Sequence, residues 1–102
     1  MQTVPISLTQ PQIENFCEKY SVATLALFGS VLRDDFHADS DVDILVNFLP
    51  NQTPTFFTLS DMQDELTEIV GKTVDLRTPE ELSPYFRERV LAEAMVIYDR
   101  NR

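Results

Sequence analysis

A chain of 102 residues is long enough for one small domain with a modest hydrophobic core. Its 43% hydrophobic and 10% aromatic residues are typical of a folded globular protein and argue against a disordered one. Seventeen acidic and eight basic residues give a net charge of -9. A field of that sign repels a phosphate backbone, which argues against nucleic acid as the main substrate. A basic protein partner suits the charge, as does simple solubility.

The single cysteine, Cys17, excludes an internal disulfide and a cysteine-based zinc cluster. It lies among Ile13, Phe16 and Tyr20 at helical spacing, which predicts a buried and unreactive thiol. No apolar run approaches membrane-spanning length, and the first residues lack the pattern of a signal peptide. We therefore expect a cytoplasmic protein that does not associate with membranes.

The first half of the chain alternates helical and extended patterns. Apolar residues at helical spacing follow Pro11, which is tolerated in the first turn of a helix, and apolar runs indicate buried strands. The predicted elements are a helix over 10–20, a strand over 22–28, a short helix capped by Ser30 and running to about 35, a polar loop over 37–40, and a strand over 42–48.

The second half continues the alternation. The predicted elements are a helix over 55–70 ended by Gly71, a strand over 73–77, a helix from Ser83 to about 93, and a strand over 95–98. The last segment is also compatible with a continuation of the helix. The order of elements predicts an α/β (α+β) fold, in which residues 1–102 form a single domain with a small β-sheet flanked by helices.

Two aspartates stand at the start of the second predicted strand. Side chains alternate along a strand with a period of two, so Asp41 and Asp43 point to the same face. Carboxylates this close repel each other unless a cation lies between them, so the pair predicts a divalent-metal site. Gly29 and Ser30 stand where a strand turns into a helix, which predicts a phosphate-binding turn beside the metal site.

A third aspartate, Asp75, is flanked by Val74 and Leu76 in the next predicted strand, where an unpaired carboxylate is costly to bury. If that strand neighbours the second one, all three carboxylates share a face. Such a cluster matches a two-metal site for in-line attack on phosphorus. Asp75 is then also placed to accept the proton of the attacking hydroxyl.

Simpler interpretations exist for several of these residues. Asp41 and Asp43 are compatible with a solvated acidic loop, although the apolar run after them argues against it. Asp75 is compatible with a surface position on an edge strand. Phe56 and Phe57 are either core residues or an exposed anchor for a partner. The predicted solvated helix charges are Arg87 and Arg89, and the predicted packing residues of the same region are Tyr85, Phe86 and Tyr98.

The pattern Phe-Gly-Ser-x-x-Arg over 28–33, then Ser-Asp-x-Asp-x-x-Val over 40–46, then an aspartate on a later strand, resembles the polymerase-β-like nucleotidyltransferase superfamily. Within it, the chain is most similar to the minimal nucleotidyltransferases (MNT), the antitoxins of HEPN–MNT toxin–antitoxin pairs. The likeness covers essentially the whole chain and implies the polymerase-β-like fold.

The resemblance implies an enzyme that moves AMP from ATP to a hydroxyl, with pyrophosphate leaving. It implies that Asp41 and Asp43 hold a pair of magnesium ions, and that Asp75 holds one of them and serves as the base. Gly29 and Ser30 would hold the β- and γ-phosphates. Arg33 would neutralise phosphate charge, although a salt bridge with a nearby acid is an equal alternative.

The resemblance also implies a partner. MNT antitoxins, of type VII-like systems, modify a tyrosine of a HEPN ribonuclease and thereby silence it, so we expect a hetero-oligomer with such a toxin. Two other functions stay open from the sequence. One is an antitoxin that neutralises the toxin by binding, with an idle metal site. The other is a nucleotidyltransferase for cationic small molecules such as aminoglycosides, although those enzymes usually carry an extra substrate-binding domain.

Overall fold

The computed structural model describes residues 8–32 and 40–100. Its elements are α1 (Gln10–Lys19), β1 (Val22–Phe28), a 3-10 helix (Gly29–Leu32), β2 (Val42–Phe48), α2 (Phe56–Val70), β3 (Val74–Arg77), a second 3-10 helix (Pro79–Glu81), α3 (Pro84–Glu93) and β4 (Met95–Asp99). The predicted order is confirmed, and the second 3-10 helix is an addition to it. None of the helices in the described part of the chain is both long and apolar enough to cross a bilayer.

Short polar residues determine where the helices begin. Thr9 forms a capping box with Gln12, in which the Thr9 amide donates to the Gln12 side chain at 3.0 Å. The side chains of Thr55 and Ser83 accept a backbone hydrogen bond at the start of α2 and α3. Gly71, with φ 80°, ends α2 in the left-handed conformation, as the sequence predicts.

The four strands form one mixed sheet in the order β3-β2-β1-β4. β1 is antiparallel to both β2 and β4, whereas β2 and β3 run parallel. Residues 95–99 therefore pair as a strand and do not continue α3. A small mixed sheet flanked by helices, as expected from the sequence, is confirmed.

The two faces of the sheet are covered unequally. α1 and α2 cover one face, and the main core forms there from Ile13, Phe16, Cys17, Val22, Leu25, Leu27, Val31, Val42, Ile44, Val46, Met62, Leu66, Val70, Val74 and Leu76. The other face carries a small cluster of Phe28, Leu45 and Val90, the last from α3. Because side chains alternate along β2, Asp43 lies on this less covered face together with Leu45.

Cys17 belongs to the main core and has no exposed surface. Burial raises the pKa of its thiol to about 12, because the thiolate would lose its hydration. The predicted buried and unreactive cysteine is confirmed as buried, and its raised pKa disfavours the reactive thiolate.

Side chains of α2 hold β3 at the edge of the sheet. The outward-facing amide of Val74 donates to Thr67 Oγ1 at 3.1 Å, and the amide of Leu76 donates to Gln63 Oε1 at 3.0 Å. An edge strand normally leaves such groups free to pair with another chain. Here they are bound within the domain, which fixes the position of Asp75 between them.

We expect Gln63→Met to lower the free energy of unfolding by about 1 kcal/mol, because the side chain keeps its size but loses the oxygen that binds the Leu76 amide. Urea unfolding followed by circular dichroism measures the change. The matched control is Gln52→Met in an exposed loop, for which we expect a change within about 0.5 kcal/mol. Equal losses in the two variants would contradict the role given to Gln63.

Candidate active site

Asp43 and Asp75 are direct neighbours in the sheet. They are register partners in the parallel pair β2–β3, so their backbones lie about 4.8 Å apart and their side chains share a face. Both residues are half-buried. The sequence analysis predicted that Asp43 and Asp75 share a face if the two strands are neighbours, and the pairing of β2 with β3 fulfils that condition.

Gly29 brings the turn after β1 against the carboxylate of Asp43. Phe28 pairs with Asp43 across the antiparallel strands, and Gly29 follows with φ 76°. A Cβ on Gly29 would collide with Asp43 Oδ2 and would lie 3.2 Å from its Cγ. Glycine is required here twice, because of the left-handed backbone and because of the close approach.

Ser30 joins the same turn to the start of β2. Its Oγ donates to the backbone carbonyl of Asp41 at 3.4 Å. The expectation that Ser30 caps a helix is wrong, because the 3-10 helix already begins at Gly29 and Ser30 lies within it. The serine instead braces the segment that carries Asp41.

The three predicted acids do not converge fully in this conformation. Asp41 is exposed, immediately before β2, and borders a depression of about 630 Å³ lined by residues of the 67–73 segment. Across residues 8–32 and 40–100, no three acidic, histidine or cysteine side chains meet in a cluster that would hold a metal. Arg33 lies outside the described residues.

Asp75 is bound by Arg77, a residue that the sequence interpretation missed. Arg77 Nε lies 3.1 Å from Asp75 Oδ1, and Nη2 donates to Oδ2 at 3.2 Å. The hydrogen bond to Asp75 raises the pKa of the guanidinium. Spacing alone signals this contact, because residues two apart in a strand share a face. Both side chains are about half exposed, so the pair is weak enough for Asp75 to exchange partners.

The site residues fit a hard divalent cation chemically. Asp43 and Asp75 offer carboxylate oxygens from adjacent strands, which are the donors that Mg²⁺ prefers. The missing side chain of Gly29 lets the carboxylate of Asp43 lie directly against the turn. Asp41 precedes Asp43 by two residues and lies on the segment that Ser30 braces.

A cavity of about 370 Å³ opens between the Gly29 turn and α3, and Asp43 lines it. We refer to it as the α3 cavity. The helix contributes one face to this cavity, namely Phe86, Arg89, Val90 and Glu93. Phe86 is 48% exposed, so its prediction as a packing residue is wrong. Arg89 is exposed, as expected of a solvated charge, but it also lines the cavity beside Gly29 and Asp43, which the sequence analysis did not predict. The spacing i, i+3, i+4, i+7 signals a shared helix face but not what that face meets.

Arg87 points elsewhere and is structural. Its Nε donates to the carbonyl of Pro79 at 2.6 Å, and its Nη2 donates to the carbonyl of Leu82 at 3.1 Å. The prediction of a solvated charge is wrong for this residue, because α3 folds back over the 3-10 helix that precedes it.

Comparisons with known proteins give one consistent family. The sequence profile of the polymerase beta nucleotidyltransferases matches residues 11–102. Protein adenylyltransferase MntA of Thermococcus cleftensis is 31% identical over 80 residues, which cover 78% of this chain and 79% of that protein. MJ1379 of Methanocaldococcus jannaschii, provisionally named a protein adenylyltransferase, is 36% identical over 74 residues, which cover 72% of this chain and 74% of that protein.

Solved structures agree. A structure provisionally described as a minimal nucleotidyltransferase superposes with a TM-score of 0.70 at 30% identity, covering 83% of this chain and 85% of that one. A toxin–antitoxin structure with AMP-PNP superposes with a TM-score of 0.72 at 21% identity, covering 90% and 74% of the two chains. At that identity the second likeness shows the shared fold.

We expect Gly29→Ala to destabilise the protein more than Gly71→Ala. Both glycines have a left-handed backbone, which costs alanine about 1–2 kcal/mol. A Cβ on Gly71 meets no atom within 4 Å, whereas a Cβ on Gly29 collides with Asp43. Urea unfolding of the two variants isolates the cost of that collision. If Gly71→Ala is equally destabilised, the close approach of the turn to Asp43 is not present in solution.

Proposed function

Since the chain belongs to the polymerase-β nucleotidyltransferase family, we propose that this enzyme transfers AMP from ATP to a tyrosine hydroxyl of a HEPN ribonuclease toxin and thereby acts as its antitoxin. The observation that carries the proposal is the Asp43–Asp75 pair beside the Gly29 turn, in a chain whose relatives bear the name protein adenylyltransferase. In this proposal residues 1–102 act as one minimal domain, in a cytoplasmic hetero-oligomer with the toxin.

The proposed reaction is an in-line displacement at the α-phosphorus of ATP. The acceptor oxygen forms a bond to that phosphorus, the bond to the bridging oxygen of the β-phosphate breaks, and pyrophosphate leaves with its electron pair. The proton of the hydroxyl goes to Asp75. Bound magnesium would neutralise phosphate charge and lower the pKa of the acceptor hydroxyl.

The residues of the chain divide this work between them. Asp41, Asp43 and Asp75 would hold the metal ions, which for Asp75 means leaving Arg77. The Gly29 backbone and the Ser30 hydroxyl would hold the β- and γ-phosphates, and Arg33 would neutralise their charge. The weak, half-exposed contact between Arg77 and Asp75 supports such an exchange.

In this proposal ATP binds in the cavity between the Gly29 turn and α3. The cavity borders Gly29 and Asp43 directly, and it is lined by an aromatic ring and by the cation Arg89. A chain of net charge -9 repels a triphosphate, so a cation beside the phosphate turn has particular value. In this arrangement Phe86 offers a partly exposed ring for base or ribose contact.

One observation favours a second function, which is neutralisation of the toxin by binding alone. Arg77 already compensates the charge of Asp75, and the three acids do not meet in a metal cluster among the described residues. An antitoxin with an idle site would show both features. Measurement of AMP transfer separates the two functions.

We expect the proposed HEPN-domain toxin, to be sought among the neighbouring genes, to gain mass in whole AMP units when it is incubated with this protein, ATP and Mg²⁺. Asp43→Asn and Asp75→Asn should each reduce the rate at least about 100-fold, because they remove a metal ligand or the base. Intact-mass spectrometry measures the gain. Asp61→Asn, at an exposed position of α2, is the matched control and should transfer AMP at the parent rate.

A toxin that is silenced on mixing, with no gain of mass, would move the conclusion to neutralisation by binding. Equal rates in the parent protein and in Asp43→Asn would exclude the proposed site.

We expect Arg89→Gln to raise the Kd for ATP about 10-fold, because a charge-assisted contact to phosphate is lost. Isothermal titration calorimetry with Mg²⁺ and a non-hydrolysable ATP analogue measures it. The control Arg100→Gln removes the same charge just beyond β4, next to Ala23 at the other end of β1, and should leave the Kd within about 2-fold. Equal effects in the two variants would show that Arg89 acts only through net charge.

A further inference from the structure

A groove of about 590 Å³ runs between the start of α2 and β3, on the other side of the Asp43–Asp75 pair from the α3 cavity. Its lining residues are Phe56, Leu59, Ser60, Gln63, Asp75, Leu76, Arg77, Thr78 and Glu81. We refer to it as the α2–β3 groove. The sheet order explains its place, because β2 lies between β1, which leads to the Gly29 turn, and β3, which borders the groove.

The chemistry of the groove changes along its length. Phe56, Leu59 and Leu76 line it from the side of α2, whereas Asp75, Arg77 and Glu81 line it from the other side of β3. Phe56 and Phe57, at the start of α2, are 80% and 78% exposed, and their rings meet edge-on with centroids 6.1 Å apart. Two adjacent aromatic rings left in solvent, one of them lining a groove that also borders the candidate base, form an apolar patch that favours binding of another molecule.

The strand edge in the groove is closed to β-pairing. The amides of Val74 and Leu76 already donate to Thr67 and Gln63. A partner therefore does not add a strand to β3, and it has to be recognised through side chains.

On this basis we propose that the α2–β3 groove receives the tyrosine-bearing segment of the partner protein, with the phenol ring against Phe56 and the hydroxyl directed to Asp75. The inference rests on the proposed AMP transfer. Tyrosine matches the groove because it carries an apolar ring with a polar end. A net charge of -9 further selects a segment with basic residues around that tyrosine.

This placement gives each substrate its own entrance. The nucleotide approaches from the α3 cavity, which borders Asp43, and the acceptor approaches from the groove, which borders Asp75. The attacking hydroxyl then reaches the α-phosphorus from the side opposite to the leaving pyrophosphate, as an in-line displacement requires, and the two carboxylates flank the point where the substrates meet.

The test uses Phe56→Ala and measures binding and transfer separately. The probe is the purified HEPN-domain toxin that gains AMP in the transfer experiment or, if no AMP is transferred, the HEPN-domain protein that binds this chain. We expect Phe56→Ala to raise the Kd for that protein without ATP, and the KM for it during AMP transfer, about 30-fold each. The kcat and the Kd for the ATP analogue should stay within about 3-fold of the parent values, which also shows that the variant folds.

Tyr85→Ala is the matched control. Tyr85 is 83% exposed, so its prediction as a packing residue is wrong, and it lies in the first turn of α3, outside both the α2–β3 groove and the α3 cavity. Its variant should bind and modify the partner like the parent protein. Equal losses in Phe56→Ala and Tyr85→Ala would overturn the inference, as would unchanged affinity and KM in Phe56→Ala.

The other outcomes are separable from a failure of the proposed function. If the parent protein transfers no AMP, that function fails, and the binding measurement alone decides whether the groove receives the partner. If the parent transfers AMP and Phe56→Ala does so with the same KM, the function stands and the groove assignment fails. A dimer of this chain that Phe56→Ala dissociates would assign the groove to a second copy and overturn the inference.

Discussion

The parallel pairing of β2 with β3 is the constraint on which the rest of the site depends. It sets Asp43 beside Asp75 and thereby creates a repulsion that the fold has to compensate. Asp75 is compensated by Arg77, and Gly29 leaves space for the carboxylate of Asp43. The strand that carries Asp75 is in turn held by α2, which binds the outward-facing amides of that strand.

The two faces of the sheet are covered unequally, so most of the residues that stabilise the fold lie on one face and the candidate site residues Asp43 and Asp75 lie on the other. α1 and α2 bury the main core on one face, where Lys19 and Tyr20 of the first helix region also bind Glu65 at 2.8 and 2.9 Å. The other face has a small hydrophobic cluster under α3, and Asp43 and Asp75 are half-buried there.

Local pattern was sufficient to predict the strands, the three α-helices and the cap at Ser83, but it misplaced a cap at Ser30. Asp75 stood out because apolar residues flank it, and Gly29 because it ends an apolar run. What the sequence could not provide was the placement of distant elements. Phe86 and Arg89 share a helix face, but only the packing of α3 against the Gly29 turn brings that face to Asp43. Arg87 is structural through contacts closer in sequence, to the carbonyls of Pro79 and Leu82, which lie eight and five residues before it.

The most direct test of the account is whether a divalent cation and the nucleotide bind together at the Asp43–Asp75 pair. The measurement is the melting temperature of the parent protein and of Asp43→Asn with Mg²⁺ alone, with a non-hydrolysable ATP analogue alone, and with both. We expect the parent protein to gain stability strongly only with both ligands, and Asp43→Asn to lose this gain. An equal gain in the two proteins, or none in the parent, would contradict it.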